Sequence, residues 1–182
     1  KGILNPGGIL LGDREKGRSG SAIGIACEGT QPLLVEVQSL VSTAVYGTPQ
    51  RSCTGFDTRR LNMLLAVLEK RCGFKLGAKD VFLNITGGMK IDDPALDLAV
   101  CAAILSSNAD IPIPQGFAFT GEVGLSGEIR PVNRIEQRIG EGIKIGFETI
   151  YYSQKSKTKT SNQNKNCIQI NTMEQMVSSL FG

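Results

Sequence analysis

Apolar residues along this chain recur with two different periods, and each change of period marks an element boundary. Ser21–Cys27 and Leu33–Leu40 are β-rich runs separated by the turn-forming Glu28-Gly29-Thr30-Gln31-Pro32, which predicts two strands. Within the second run Glu36 and Gln38 share one strand face, opposite Val35 and Val37. A loop with Gly47, Pro49 and Arg51 leads into a short extended piece, Cys53–Phe56. The period then turns helical. Leu61, Leu64, Leu65 and Leu68 form a stripe over Thr58–Cys72, with Asp57 able to cap it and Gly73 to stop it. Asp80–Thr86 returns to alternation, Val81, Leu83 and Ile85 against Phe82 and Asn84, and Gly87-Gly88 ends it.

Asp93-Pro94 supplies an N-cap and a first-turn proline for an apolar helix, Pro94–Ser107. Phe117–Val123 and Glu128–Pro131 flank Gly124-Leu125-Ser126-Gly127, a hairpin pattern. Asn133 caps a third helix to about Lys144, and Thr149–Tyr152 reads as a further strand. Residues 153–166 are polar and low in complexity and carry Lys155, Lys157, Lys159 and Lys165, so a solubilising, mobile loop is expected. A strand, Ile168–Ile170, and a helix, Thr172–Phe181, follow. Residues 1–20, glycine-rich with mixed charge, read as a lead-in arm, and 21–182 as one α/β (α+β) domain.

Composition narrows the chemistry. At 182 residues and 41% hydrophobic content the chain can build one substantial core. None of its apolar runs approaches the roughly 20 residues that span a bilayer. It opens at Lys1 without a methionine or a signal peptide, so it reads as a fragment of something longer. A formal charge of +3 permits a local nucleic-acid patch without demanding one. With 0 histidines, Ser-His-Asp and Cys-His catalysis and His/Cys zinc sites are excluded within this chain. Cys27, Cys53, Cys72, Cys101 and Cys167 form no CxxC pair and are expected to be reduced, buried thiols of a cytoplasmic protein. Gly12–Ser19 has Walker A spacing with Arg18 in the lysine position, but a β-rich segment follows where a helix is required, so no nucleotide site is expected. Asn84-Ile85-Thr86 fits a glycosylation sequon inside an apolar strand and is read as coincidence.

Three separated blocks carry a family resemblance. They are Asp80–Gly88 leading into Asp92-Asp93-Pro94-Ala95-Leu96-Asp97, then Thr120-Gly121-Glu122 through Val132, then Arg134–Phe147. In this order they resemble the proteolytic domain of Lon, which implies a Lon-like, ribosomal protein S5 domain 2-like fold. In Lon peptidases a serine follows the Asp-Gly-Pro turn and a lysine in the later helix serves as its base, chemistry that a helix N-terminus and a desolvated lysine support. The serine position here is Ala95 and the lysine position is Glu136, so the resemblance implies a pseudo-peptidase with no catalytic residues. Glu28–Gln38 and Gly55–Leu61 extend the match to the C-terminal domain of the RadA (Sms) family of bacterial repair proteins. That resemblance implies a supporting domain of a DNA-dependent ATPase that migrates branches as a hexameric ring. ATP, Mg and Zn are implied only for upstream parts, and none for this fragment.

DNA, single- or double-stranded and without sequence preference, is therefore the expected partner, together with self-association and no membrane. Candidate phosphate contacts are Arg51, Arg59 and Arg60, and a second group Arg130, Arg134 and Arg138, of which the last two share a helix face. Solvated surface or local ion pairs with Asp57, Glu136 and Glu141 are the alternative for each. Asp97, inside an apolar helix, is favoured by the helix dipole and could fix a neighbouring loop. Two rival functions stand beside this one: an active Lon-type serine peptidase, and a pure oligomerisation module without DNA contact.

Overall fold

A computed structural model describes residues 9–10, 17–158 and 167–182. The chain folds as a mixed α/β domain around a mostly parallel sheet. The strands are β1 (Ile9–Leu10), β2 (Ser21–Glu28), β3 (Gln31–Thr43), β4 (Arg51–Thr54), β5 (Lys79–Ile85), β6 (Phe117–Thr120), β7 (Glu122–Val123), β8 (Ile129–Arg130), β9 (Thr149–Ser153) and β10 (Cys167–Ile170). The helices are α1 (Thr58–Cys72), α2 (Asp97–Ala109), α3 (Ile135–Ile145) and α4 (Met173–Phe181). The sheet order is β10-β9-β6-β2-β3-β5-β4, with β1 pairing parallel to β3. β3 is antiparallel to β2 and to β5: Ser21–Glu28 pairs with its first half and Lys79–Ile85 with its second.

Alternation along β2 sorts the core into two layers. Ala22 and Ala26 face α1, α2 and α4, while Ile23 and Ile25 face α3 together with Leu34, Ile135, Ile139, Ile150 and Tyr152. Small residues on the first face let α2 lie close. A Cβ on Gly24 would meet Leu96 Cδ1 at 2.4 Å and Ala99 Cβ at 3.0 Å. α2 is buried on every side from Asp97 to Ser106, as a helix apolar all round must be.

Local signals fixed the helix ends. Asp57 accepts the Arg59 amide at 2.8 Å, and Gly73 closes α1 at φ 76°, donating to the Glu69 and Leu68 carbonyls. Thr172 and Gln175 form a capping box on α4.

Four expectations need correcting. The helix expected over Pro94–Ser107 begins as a 3-10 turn, Pro94–Leu96, and becomes α-helical only at Asp97. The hairpin is shorter than expected, because Phe117–Thr120 inserts parallel between β2 and β9, leaving two-residue arms β7 and β8. Asn133 does not cap α3; Arg134 holds that position at φ 55°, and Asn133 receives Arg138 instead. Ser153 is a buried strand residue whose hydroxyl donates to the Ile129 carbonyl at 2.8 Å, so the polar loop begins after it. Residues 159–166, with Lys159 and Lys165, and positions 12–16 of the Walker-like stretch lie outside the described residues.

All five cysteines are free; Cys101 is buried and the other four are half-buried. Burial raises the thiol pKa of each from its ordinary value, most strongly for the fully enclosed Cys101. Among the described residues no helix is long and apolar enough to cross a membrane.

Candidate functional site at the start of the central helix

The turn Asp93-Pro94-Ala95 sits at the N-terminal end of α2, beside the carboxyl end of β2. Asp93 caps the turn by accepting the Ala95 amide at 3.1 Å. Ala95 is fully buried and offers only a methyl group; its carbonyl accepts the Gly121 amide at 2.9 Å, tying the turn to the start of β7. Glu136, in the first turn of α3, accepts the Thr158 hydroxyl.

What bridges the turn to α3 is an ion pair. Arg138 Nη1 donates to Asp93 Oδ2 at 2.6 Å and to the Ile25 carbonyl at 3.0 Å. Its Nε and Nη2 reach the Asn133 carbonyl and side chain at 2.8 and 2.7 Å. Asp93 also accepts the Cys27 amide at 2.7 Å. A side chain 1% exposed and satisfied by four acceptors inside the fold is no free phosphate contact, so Arg138 leaves the set of surface candidates. A polar cleft of about 360 Å³ opens above this pair, with Lys90 and Asp92 on its wall.

A second ion pair lies at the next turn of α2. Asp97 is fully buried; Arg60 Nε donates to its Oδ1 at 2.5 Å and Nη2 to its Oδ2, while the Val123 amide reaches Oδ2 at 3.1 Å. Asp97 thus holds the β7 strand as well as α1. Burial pushes its carboxyl pKa up from the ordinary value, opposed by Arg60 and the Val123 amide. The Arg60 guanidinium is correspondingly held charged by its hydrogen bonds to Asp97. Its Nη2 also lies 3.9 Å from Glu122, whose ladder partner across the hairpin is Arg130.

The remaining arginines divide. Arg59 is exposed in the first turn of α1, and the side chain of Arg130, 55% exposed, donates to Glu128 at 3.2 Å. Arg134 is exposed in the left-handed region, a conformation that is costly for a non-glycine residue. Arg51 is half-buried and donates to the Leu76 and Lys79 carbonyls at 2.8 and 3.4 Å, at the far end of α1 from Arg59 and Arg60. Arg60 therefore lies near Glu122, whose ladder partner is Arg130, whereas Arg51 stays apart and Arg138 turns inward. Lys90, and Asp93 and Asp97 as ion-pair partners, were not among the sequence-derived candidates; the one available signal was an aspartate set in an otherwise apolar helix.

Fold and site together define a mixed α/β domain whose helix-start turn holds an arginine-locked aspartate. The chain belongs to the family described as subunit ChlI of Mg-chelatase, whose model matches residues 35–156. It is 50% identical over 149 residues to the DNA repair protein RadA of Streptococcus pyogenes, covering 82% of this chain and 33% of that protein. To the DNA repair protein RadA of Streptococcus pneumoniae it is 44% identical over 180 residues, 98% of this chain and 43% of the other. The same-named protein of Bacillus subtilis is 49% identical over 146 residues, 80% and 32% of the respective chains. The chain thus spans from 32% to 43% of the length of these relatives.

Proposed function

We propose that this chain is a non-cutting, Lon-type domain of a RadA-type ATP-dependent DNA repair and recombination protein, which contacts the DNA backbone and supports ring assembly. The observation that carries the reading is the 44–50% identity to proteins named DNA repair protein RadA over most of this chain. Two features of the site support it. Ala95 has no atom that can attack a carbonyl, and the adjoining Asp93 is engaged by Arg138 rather than by a base poised over a nucleophile. Arg59, Arg130 and Arg134 present guanidinium groups to solvent, the group best shaped to engage phosphate oxygens without reading bases. Branch migration, a hexameric ring and a cytoplasmic location come with this reading as proposals of the same rank.

Equilibrium binding of the chain to labelled single- and double-stranded oligonucleotides across a salt series tests it. Affinity indifferent to sequence, falling linearly in log–log form by roughly 0.9 per neutralised phosphate on duplex, is the expected result. No binding at about 50 mM salt removes the DNA contact from the reading. Sustained cleavage of an unfolded protein, abolished by one substitution in the cleft, removes the non-cutting part.

A further inference from the structure

We infer that Asp97 is a positioning residue for DNA contact: it grips Arg60 by one edge of the guanidinium and so aims the opposite edge at a backbone phosphate. The inference rests on the DNA-contacting role proposed above and names a residue that no arginine count would find.

The geometry is that of a clamp. Asp97 lies fully buried beneath Arg60, whose side chain is 28% exposed. Both carboxylate oxygens are engaged, Oδ1 by Nε at 2.5 Å and Oδ2 by Nη2 and the Val123 amide, so the carboxylate has no alternative orientation. The planar fork transmits that fixity to Nη1, which finds no acceptor among the described residues. Arg59, one position earlier and exposed, has no such anchor for its side chain among the described residues. A long side chain must surrender rotamer freedom when it binds, and a clamped one has already done so. Glu122 Oε2 stands 3.9 Å from Nη2, which already donates to Asp97.

This role predicts a sign opposite to that of bulk charge. Asp97→Asn removes one negative charge from a chain of formal charge +3, so attraction by net charge alone would tighten DNA binding. Loss of the clamp should instead weaken it about threefold to tenfold, the cost of immobilising one free arginine. The test is a salt-series DNA-binding measurement on the wild-type chain, Asp97→Asn, Arg60→Lys and the Arg60→Lys/Asp97→Asn double variant, each held well below its own melting temperature. Lysine keeps the charge and lacks the fork, so Asp97→Asn should cause no further loss in that background. Weakening by Asp97→Asn that disappears when residue 60 is lysine supports the clamp. Equal or tighter binding by Asp97→Asn overturns it while leaving the DNA role intact, and so does an equal loss in both backgrounds, which would mark a general disturbance of the fold. A wild-type chain that fails to bind at low salt overturns the clamp and the DNA role together.

Discussion

Arg134 and Arg138 stand four residues apart at the start of α3 and end in opposite surroundings. Arg138 is 1% exposed and locked to Asp93, Asn133 and the Ile25 carbonyl; Arg134 stands in solvent at φ 55° with no side-chain cap bond. The difference shows that an arginine's role is set by the nearest carboxylate and by burial, not by helical spacing. A buried guanidinium beside a buried carboxylate knits elements together, whereas an exposed one is left to meet a ligand.

The sharpest way to break this contrast is to remove each arginine in turn. Arg138→Ala leaves Asp93 without its cation and takes the Arg138 donors from the Asn133 carbonyl and side chain, so urea unfolding should show a loss of roughly 3–5 kcal/mol. A loss under about 1 kcal/mol would mean that the pair adds little to the fold. Arg134→Gly should move the other way, leaving the chain equally stable or more stable by about 1 kcal/mol, because glycine adopts the left-handed region freely. The same variant should weaken DNA binding, so stability and affinity would part company at this residue. Arg130→Ala, which removes only an exposed pair with Glu128, should change the unfolding free energy by no more than about 0.5 kcal/mol.

The smallest effect concerns Glu128 itself. Its own amide, Arg130 and the Ser126 amide hold its carboxyl pKa below the ordinary 4.5. A carboxyl lowered in the folded state contributes stability above pH 4.5 that fades as pH falls through the folded value. Acid titration of Glu128→Gln should therefore show a slightly shallower decline below that pH than the wild type.

Much of the scaffold was legible because its signals are local. Asp57, the leucine stripe and Gly73 specify α1 within one short stretch of chain, and the Asp93-Pro94 turn announces the start of the central helix. Parallel pairing leaves no comparable trace: β6 looks like the arm of a hairpin until β2 and β9, distant in sequence, are seen to take it in. The site followed the same rule. Ala95 was readable from its motif, but the burial of Arg138 depends on Asp93, 45 residues away, and that of Asp97 on Arg60, 37 residues away. Helical spacing put Arg134 and Arg138 on one face; the left-handed cap at Arg134 removes that residue from the helical array.

If the exposed arginines, rather than the buried ones, meet DNA, their removal must change how binding responds to salt. The most direct measurement compares the salt dependence of duplex binding for the wild type and the Arg59→Ala/Arg130→Ala/Arg134→Ala variant. The log–log slope should shrink by about 0.9 for each phosphate no longer neutralised, close to three in all, with the melting temperature preserved. An unchanged slope and affinity in a folded triple variant would contradict a DNA role for these residues.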